Sequence, residues 1–216
     1  METTSRDSIA HKIKTITSPN ELDEGREISE RFKTAFLALF ESKTKISNEA
    51  SRMQALKKIY DLCDIYVNDQ EPISVCRAGC SWCCTIPVDL LPIEVKYIEY
   101  HTDKKSTALH SFEKFNDYNW GYCPLLDKQT GLCSVYEYRP FNCRLFLVYD
   151  NPENCKLQSQ GKDAACWNSG GARNGYGSNA ITALAVNLMS LELNRPIKEN
   201  DCNEIDCRTR DIRSYF

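Results

Sequence analysis

The chain has 216 residues, a length for one ordinary domain or one domain with an attached helical segment. At 42% hydrophobic and 26% charged, it can close a core without staples, so its 12 cysteines are not there to rescue a mini-protein. The net charge of −3, with both signs interspersed, offers neither a basic groove for nucleic acid nor a patch for an acidic membrane.

Met1–Thr15 lacks the apolar stretch of a secretory signal, and the apolar runs at 35–40 and 181–189 are too short to span a bilayer. The expected compartment is the reducing cytoplasm, where many cysteines argue for metal or thiol chemistry rather than disulfides. Residues 1–70 read as a helical segment. Glu21–Lys43 carries Ile28, Phe32, Phe36, Leu39 and Phe40 at helical spacing, and Asn48–Asn68 does the same with Met53, Leu56, Tyr60, Cys63 and Val67. Together they predict a helical hairpin.

Residues 71–170 hold nine of the twelve cysteines and form the expected metal-binding domain. Asp89–Tyr100 and Ser106–Asp117 read as short helices, and Leu145–Tyr149 as a strand before the turn at Asp150-Asn151-Pro152. Residues 171–216 begin with a Gly- and Asn-rich loop. A helix follows over Ser178–Asn194, apolar nearly all round and ended by Pro196, with a tail packing on the core. The expected fold is mainly α with a small irregular, β-hairpin cysteine-rich core, an α+β arrangement.

Chemistry concentrates at Cys76-x3-Cys80-x2-Cys83-Cys84. Four thiols in nine residues exceed what core packing needs. On a helix their separations place them on one face. In a loop, Gly79 lets the backbone wrap a metal. A second group, Cys123, Cys133 and Cys143, is organised by a turn signal at Asp127–Gly131, whose hairpin brings Cys123 near Cys133. Cys143 follows through Arg139-Pro140. Seven thiols can thus meet. Cys63 reads as a buried small hydrophobe. Cys155 and Cys166 are open between ligand and core, while Cys202 and Cys207 read as non-ligands. The histidines, His11, His101 and His110, have no ligand partner in step with them.

Zinc prefers four ligands in a tetrahedron, often from two paired knuckles, and no clean second pair follows Cys80-x2-Cys83. A polynuclear cluster accommodates the vicinal Cys83-Cys84 better, because different irons can take neighbouring thiolates. An iron–sulfur cluster is therefore the expected cofactor, with Zn²⁺ as the alternative. Thiolates around either leave net negative charge, which Arg139 and Arg144, flanking Cys143, would offset. Trp82 reads as a shield against water, and Tyr136 as a neighbour.

These blocks, with Cys123-Pro124-x-Leu126 and Gly131-x-Cys133-x-Val135-Tyr136-x-x-Arg139-Pro140-x-x-Cys143-Arg144, resemble the CxxCxxCC or YkgJ-like family of zinc- or iron-chelating domains. The resemblance implies chelation through Cys76, Cys80, Cys83, Cys84, Cys123, Cys133 and Cys143. One branch of that family looks like flagellin lysine N-methylases, which implies as an alternative a protein-modifying enzyme with a protein substrate. Cys76-x3-Cys80-x-Trp82-Cys83 also matches the triad of radical S-adenosylmethionine enzymes, whose 4Fe–4S cluster sits in an α/β barrel. No alternating βα pattern follows here, so a full barrel does not fit. A third possibility is a structural zinc module that docks a protein partner through its helical hairpin. Neither nucleic acid nor membrane is an expected partner, and the sequence leaves enzymatic activity undecided.

Overall fold

The long helices begin where short polar side chains can take up their first N–H groups. In α1 (Glu30–Glu41) the Ser29 hydroxyl accepts the Phe32 N–H at 3.1 Å, and in α2 (Glu49–Gln70) the Asn48 side chain accepts the Ser51 N–H at 2.9 Å. The remaining elements follow as β1 (Asp89–Leu90), α3 (Pro92–His101), β2 (Leu126–Asp127), β3 (Leu132–Cys133), α4 (Phe141–Leu145), α5 (Pro152–Ser159), α6 (Asn179–Leu193) and β4 (Arg210–Asp211), with 3₁₀ turns at Trp82–Thr85, Tyr136–Tyr138 and Ile212–Ser214. The computed structural model describes residues 29–41, 46–70, 74–107, 121–149, 151–160, 179–196 and 210–216. Helix dominates these, and the strands form two small antiparallel pairs, β1 with β4 and β2 with β3.

The described residues divide into two units that interleave along the chain. The first draws on Met1–Cys76, Arg144–Pro152 and Ala165–Ile197; the second draws on Arg77–Cys143, Glu153–Ala164 and Lys198–Phe216.

In the first unit α2 packs against both α1 and α6. Phe32 meets Tyr66 edge-on at 6.1 Å, and the Ser29 hydroxyl donates to Asp69 at 2.6 Å, which closes the expected helical hairpin. Leu56, Cys63 and Leu184 are fully buried, and Leu188 and Leu191 nearly so. Arg52 donates from Nη2 to the carbonyls of Leu191 and Glu192 at 3.0 and 3.1 Å, satisfying acceptors that the end of α6 leaves open. Asn194, at φ 55°, follows that helix in the left-handed conformation.

The second unit has a core of Leu90, Val95, Ile98, Leu125, Val135, Ile212 and Tyr215, with Cys123 and Cys133 packed against it. Pro92 opens α3 three residues after the start expected at Asp89, because Asp89 and Leu90 pair instead with Asp211 and Arg210. The strand expected over Leu145–Tyr149 shrinks to one bridge residue, Val148. Leu145 is taken by the end of α4, and the Val148 carbonyl accepts the Val75 N–H at 2.9 Å. Most of the helix expected at Ser106–Asp117 lies outside the described residues, as do Cys166, Cys202 and Cys207. Among the described residues no helix is long and apolar enough to cross a membrane.

Candidate metal centre

The cysteine quartet lies on loops and turns rather than on a regular helix. The Cys80 N–H returns to the Arg77 carbonyl at 3.1 Å, across a turn in which Gly79 holds φ 81°. The chain then winds into the 3₁₀ turn Trp82–Thr85, with Cys84 N–H bonded to the Ser81 carbonyl at 3.0 Å and Ile86 N–H to the Cys83 carbonyl at 3.1 Å. Such tight winding gives the vicinal cysteines little freedom, and the Cys84 thiol donates to the Cys83 sulfur.

The hairpin of β2 and β3 carries the next pair. Leu126 stands opposite Cys133 and Asp127 opposite Leu132. The turn is held by Asp127, whose carbonyl accepts the Gly131 N–H at 2.8 Å and whose carboxylate accepts the Gln129 N–H at 2.9 Å and the Thr130 hydroxyl at 2.8 Å. These donors hold the exposed Asp127 carboxyl below its usual range. Gly131, at φ 70°, lies so close to the quartet loop that a Cβ there would stand 3.0 Å from the Gly79 carbonyl oxygen. The Cys123 N–H bonds to the Cys84 carbonyl at 2.7 Å, joining the two cysteine loops through backbone. Cys143 arrives on α4, whose Phe141 N–H donates at 2.7 Å to Glu94 of α3, a carboxylate only 2% exposed.

Cys83, Cys84, Cys123, Cys133 and Cys143 perturb one another electrostatically. The hydrogen bond from Cys84 brings Cys83 down to about 7, against burial, with help from the Arg139 guanidinium. That bond and burial push Cys84 far up, as do the charges of Cys83, Cys123 and Cys143. Burial raises Cys123 to about 11; the Leu125 N–H, bonded to its sulfur, works the other way. Burial also raises Cys133, opposed by the Val135 N–H and by Arg139. Cys143 is pushed well up by burial, then by Cys123, Cys83, Cys133 and Glu94. In the metal-free protein burial and mutual repulsion thus favour the protonated form of four of these thiols, while Cys83 is shifted the other way.

A cation among these sulfurs would turn mutual repulsion into attraction, so the donor set fits a soft or borderline metal. Backbone N–H groups aimed at Cys123 and Cys133 are the donors that thiolate ligands use around such ions. Among the described residues, however, no three His, Cys, Asp or Glu side chains are grouped to hold a metal ion as they stand. Residues 75–166 match the model of the CxxCxxCC family, described as a "putative zinc- or iron-chelating domain". This part of the chain is similar to the CxxCxxCC family. No curated protein and no solved structure matches the chain.

The other expected site residues fall in both units. Cys80 is half-buried in the second unit. Cys76 falls in the first unit, where its sulfur accepts the Val148 N–H at 3.3 Å. Arg139 stacks on the Tyr136 ring at 3.8 Å, close enough to influence Cys83 and Cys133. Arg144, 4% exposed, donates to both Asp64 carboxylate oxygens at 2.8 Å and lies 4.4 Å over the Tyr60 ring. Trp82 is half-buried with the Lys156 ammonium 5.9 Å from its ring. Cys155 is buried in α5, and His101 lies parallel to Tyr138 at 4.9 Å. Among the described residues no two cysteines form a disulfide.

Sequence reasoning missed Glu94 and Arg213. Glu94 hid as one more acidic residue of a helix, although its place two residues after Pro92 is a first-turn signal. Arg213 donates to the carbonyls of Gly121, Cys84 and Ile86 at 2.7, 3.2 and 3.2 Å, and no local pattern announced it.

Proposed function

We propose that this protein binds a polynuclear metal centre, an iron–sulfur cluster, through Cys80, Cys83, Cys84, Cys123, Cys133 and Cys143, with Cys76 as the remaining member of the ligand pool. The observation that carries the reading is the backbone bond that ties the vicinal Cys83–Cys84 turn to the Cys123 loop, with Cys133 packed on the same core as Cys123 and Cys143 near enough to feel their charges, more thiols than one ion needs. One tetrahedral zinc ion uses four. A centre with several metal atoms uses more, and lets Cys83 and Cys84 serve different atoms. Arg139 would offset the excess negative charge of the thiolates. A reducing compartment, the cytoplasm, is part of the proposal, because only reduced thiols ligate.

Zinc is the second reading. It is favoured by the knuckle-like backbone N–H bonds to Cys123 and Cys133, which suit a closed structural site of four thiolates. In that case the helical first unit is the surface on which a protein partner would dock. A lysine N-methylase-like activity on a protein substrate would show as S-adenosylmethionine affinity.

The test is anaerobic purification followed by elemental analysis and a visible spectrum. Iron with acid-labile sulfide and a broad sulfur-to-iron absorption is the expected result. Colourless protein with stoichiometric zinc would replace the cluster by the structural reading. Protein with neither metal and with its thiols paired would end both.

A further inference from the structure

The matched family segment stops at residue 166, yet the side chain that ties its cysteine loops together comes from residue 213. Arg213 sits in the 3₁₀ turn Ile212–Ser214, directly after β4. Three of its nitrogens are used on different parts of the second unit. Nε donates to the Gly121 carbonyl at 2.7 Å, two residues before Cys123. Nη2 donates to the carbonyls of Cys84 and Ile86, both at 3.2 Å. Nη1 pairs with the Asp211 carboxylate at 2.9 and 3.1 Å. Asp211 is itself fixed, accepting the Val88 N–H at 2.9 Å and the Arg213 N–H at 2.9 Å. The guanidinium is thus aimed before it reaches the loops.

Its targets are not arbitrary. The Cys84 carbonyl is the same atom that accepts the Cys123 N–H at 2.7 Å. Arg213 therefore reinforces a backbone junction between the vicinal-cysteine turn and the Cys123 loop, and braces both sides of it at Ile86 and Gly121. Lysine could not replace it, since a single ammonium lacks the planar fork that spans three carbonyls. Its positive charge also lies near enough to influence Cys123.

We infer that Arg213 is a positioning residue for the metal centre, a clamp from outside the family domain that fixes the Cys83–Cys84 turn against the Cys123 loop. The inference rests on the metal-binding reading above and names a residue on which the ligand geometry depends.

The experiment reconstitutes the full chain with Co²⁺ and reads two signals: the sulfur-to-cobalt and d–d bands, and the rate of metal loss to excess chelator. Arg213→Ala should lose cobalt about tenfold faster, as expected when an outer-shell support is removed, and shift the d–d bands. Arg213→Lys should fall short of rescue. The comparison is Ile212→Val, which trims the buried core of the same segment without touching the three carbonyls. It should lower the melting temperature yet keep the wild-type spectrum and release rate. If Arg213→Ala and Ile212→Val behave alike, or if Arg213→Lys matches wild type in both signals, the clamp is only a structural contact and the inference is overturned. Should Arg213→Ala fail to fold, Arg213→Lys carries the test alone. A wild-type chain that develops no sulfur-to-cobalt band, and no sulfur-to-iron band on reconstitution with ferrous iron and sulfide, would defeat the metal reading itself, and this inference with it.

Discussion

Not all cysteines in this chain carry the same weight, and substitution by serine separates them. Cys143 is pushed well up by burial and by the charges of three other thiols, so it lies within their electrostatic reach. Cys143→Ser, or Cys80→Ser from the quartet, should lower bound metal substoichiometrically, measured by elemental analysis. Full metal retention in both would show that the ligands lie elsewhere. Cys63, fully buried on α2, should behave oppositely. Cys63→Ser keeps the metal and costs about 1–3 kcal/mol in a denaturant melt, the toll of burying a hydroxyl in place of a thiol. The two glycines of the site make a second contrast. Both hold positive φ, so alanine at either costs about 1–2 kcal/mol. Only at Gly131 would the new Cβ also press on a backbone oxygen, 3.0 Å away at Gly79, whereas Gly79 faces open space. Gly131→Ala should therefore lower both the melting temperature and metal occupancy more than Gly79→Ala; equal effects would mean that the hairpin and quartet loops do not depend on that contact. At this scale the quartet was legible because thiol spacing is a local signal. Arg144 was not: its Asp64 and Tyr60 partners sit about 80 positions upstream, and nothing in the arginine's immediate sequence names them.

The elements divide along the same line between local and distant causes. The hairpin β2–β3 could be read from Asp127 to Gly131, because the Asx side chain and the positive-φ glycine act within five residues. The helices of the first unit were visible from periodicity. The pairing of β1 with β4 was not, since two-residue strands joined across 120 positions leave no alternation to detect. Nor was the role of α3. Its Glu94 bonds the Leu91 N–H at 3.0 Å, capping its own helix, and with its other oxygen takes the Phe141 N–H that opens α4, two residues before Cys143. A carboxylate accepts at both oxygens, while an amide presents a donor at one. Glu94→Gln should thus break one of two buried bonds and destabilise the protein by about 1–3 kcal/mol. Equilibrium unfolding checks this, and an unchanged midpoint would show that the carboxylate is not what anchors α4.

For the whole molecule, the thiols link stability to pH in a way that metal should reverse. In the metal-free protein Cys83 is held down at about 7 while an unfolded thiol titrates near 9.0. Between these values the unfolded chain binds more protons than the folded one, so stability rises with pH and the contribution is lost as pH falls through 7. Cys123 works in the other direction. Held up at about 11 by burial, it keeps its proton after the unfolded chain has released its own, and stability falls between about 9 and 11. At its steepest that fall is about 1.4 kcal/mol per pH unit for this thiol, and Cys133 and Cys143 add to it in the same sense. Chelator-treated protein should therefore be most stable near pH 9 and weaken on either side. Metal-bound thiolates carry no proton to lose, so the loaded protein should show no alkaline decline from these groups; its added stability should instead vanish at low pH, where protons displace the metal. Melting curves from pH 6 to 11, with and without chelator, measure both profiles. Coincident profiles would mean that the buried thiols raised by the fold are not the groups that hold the metal, and would send the search for ligands to cysteines outside this coupled set.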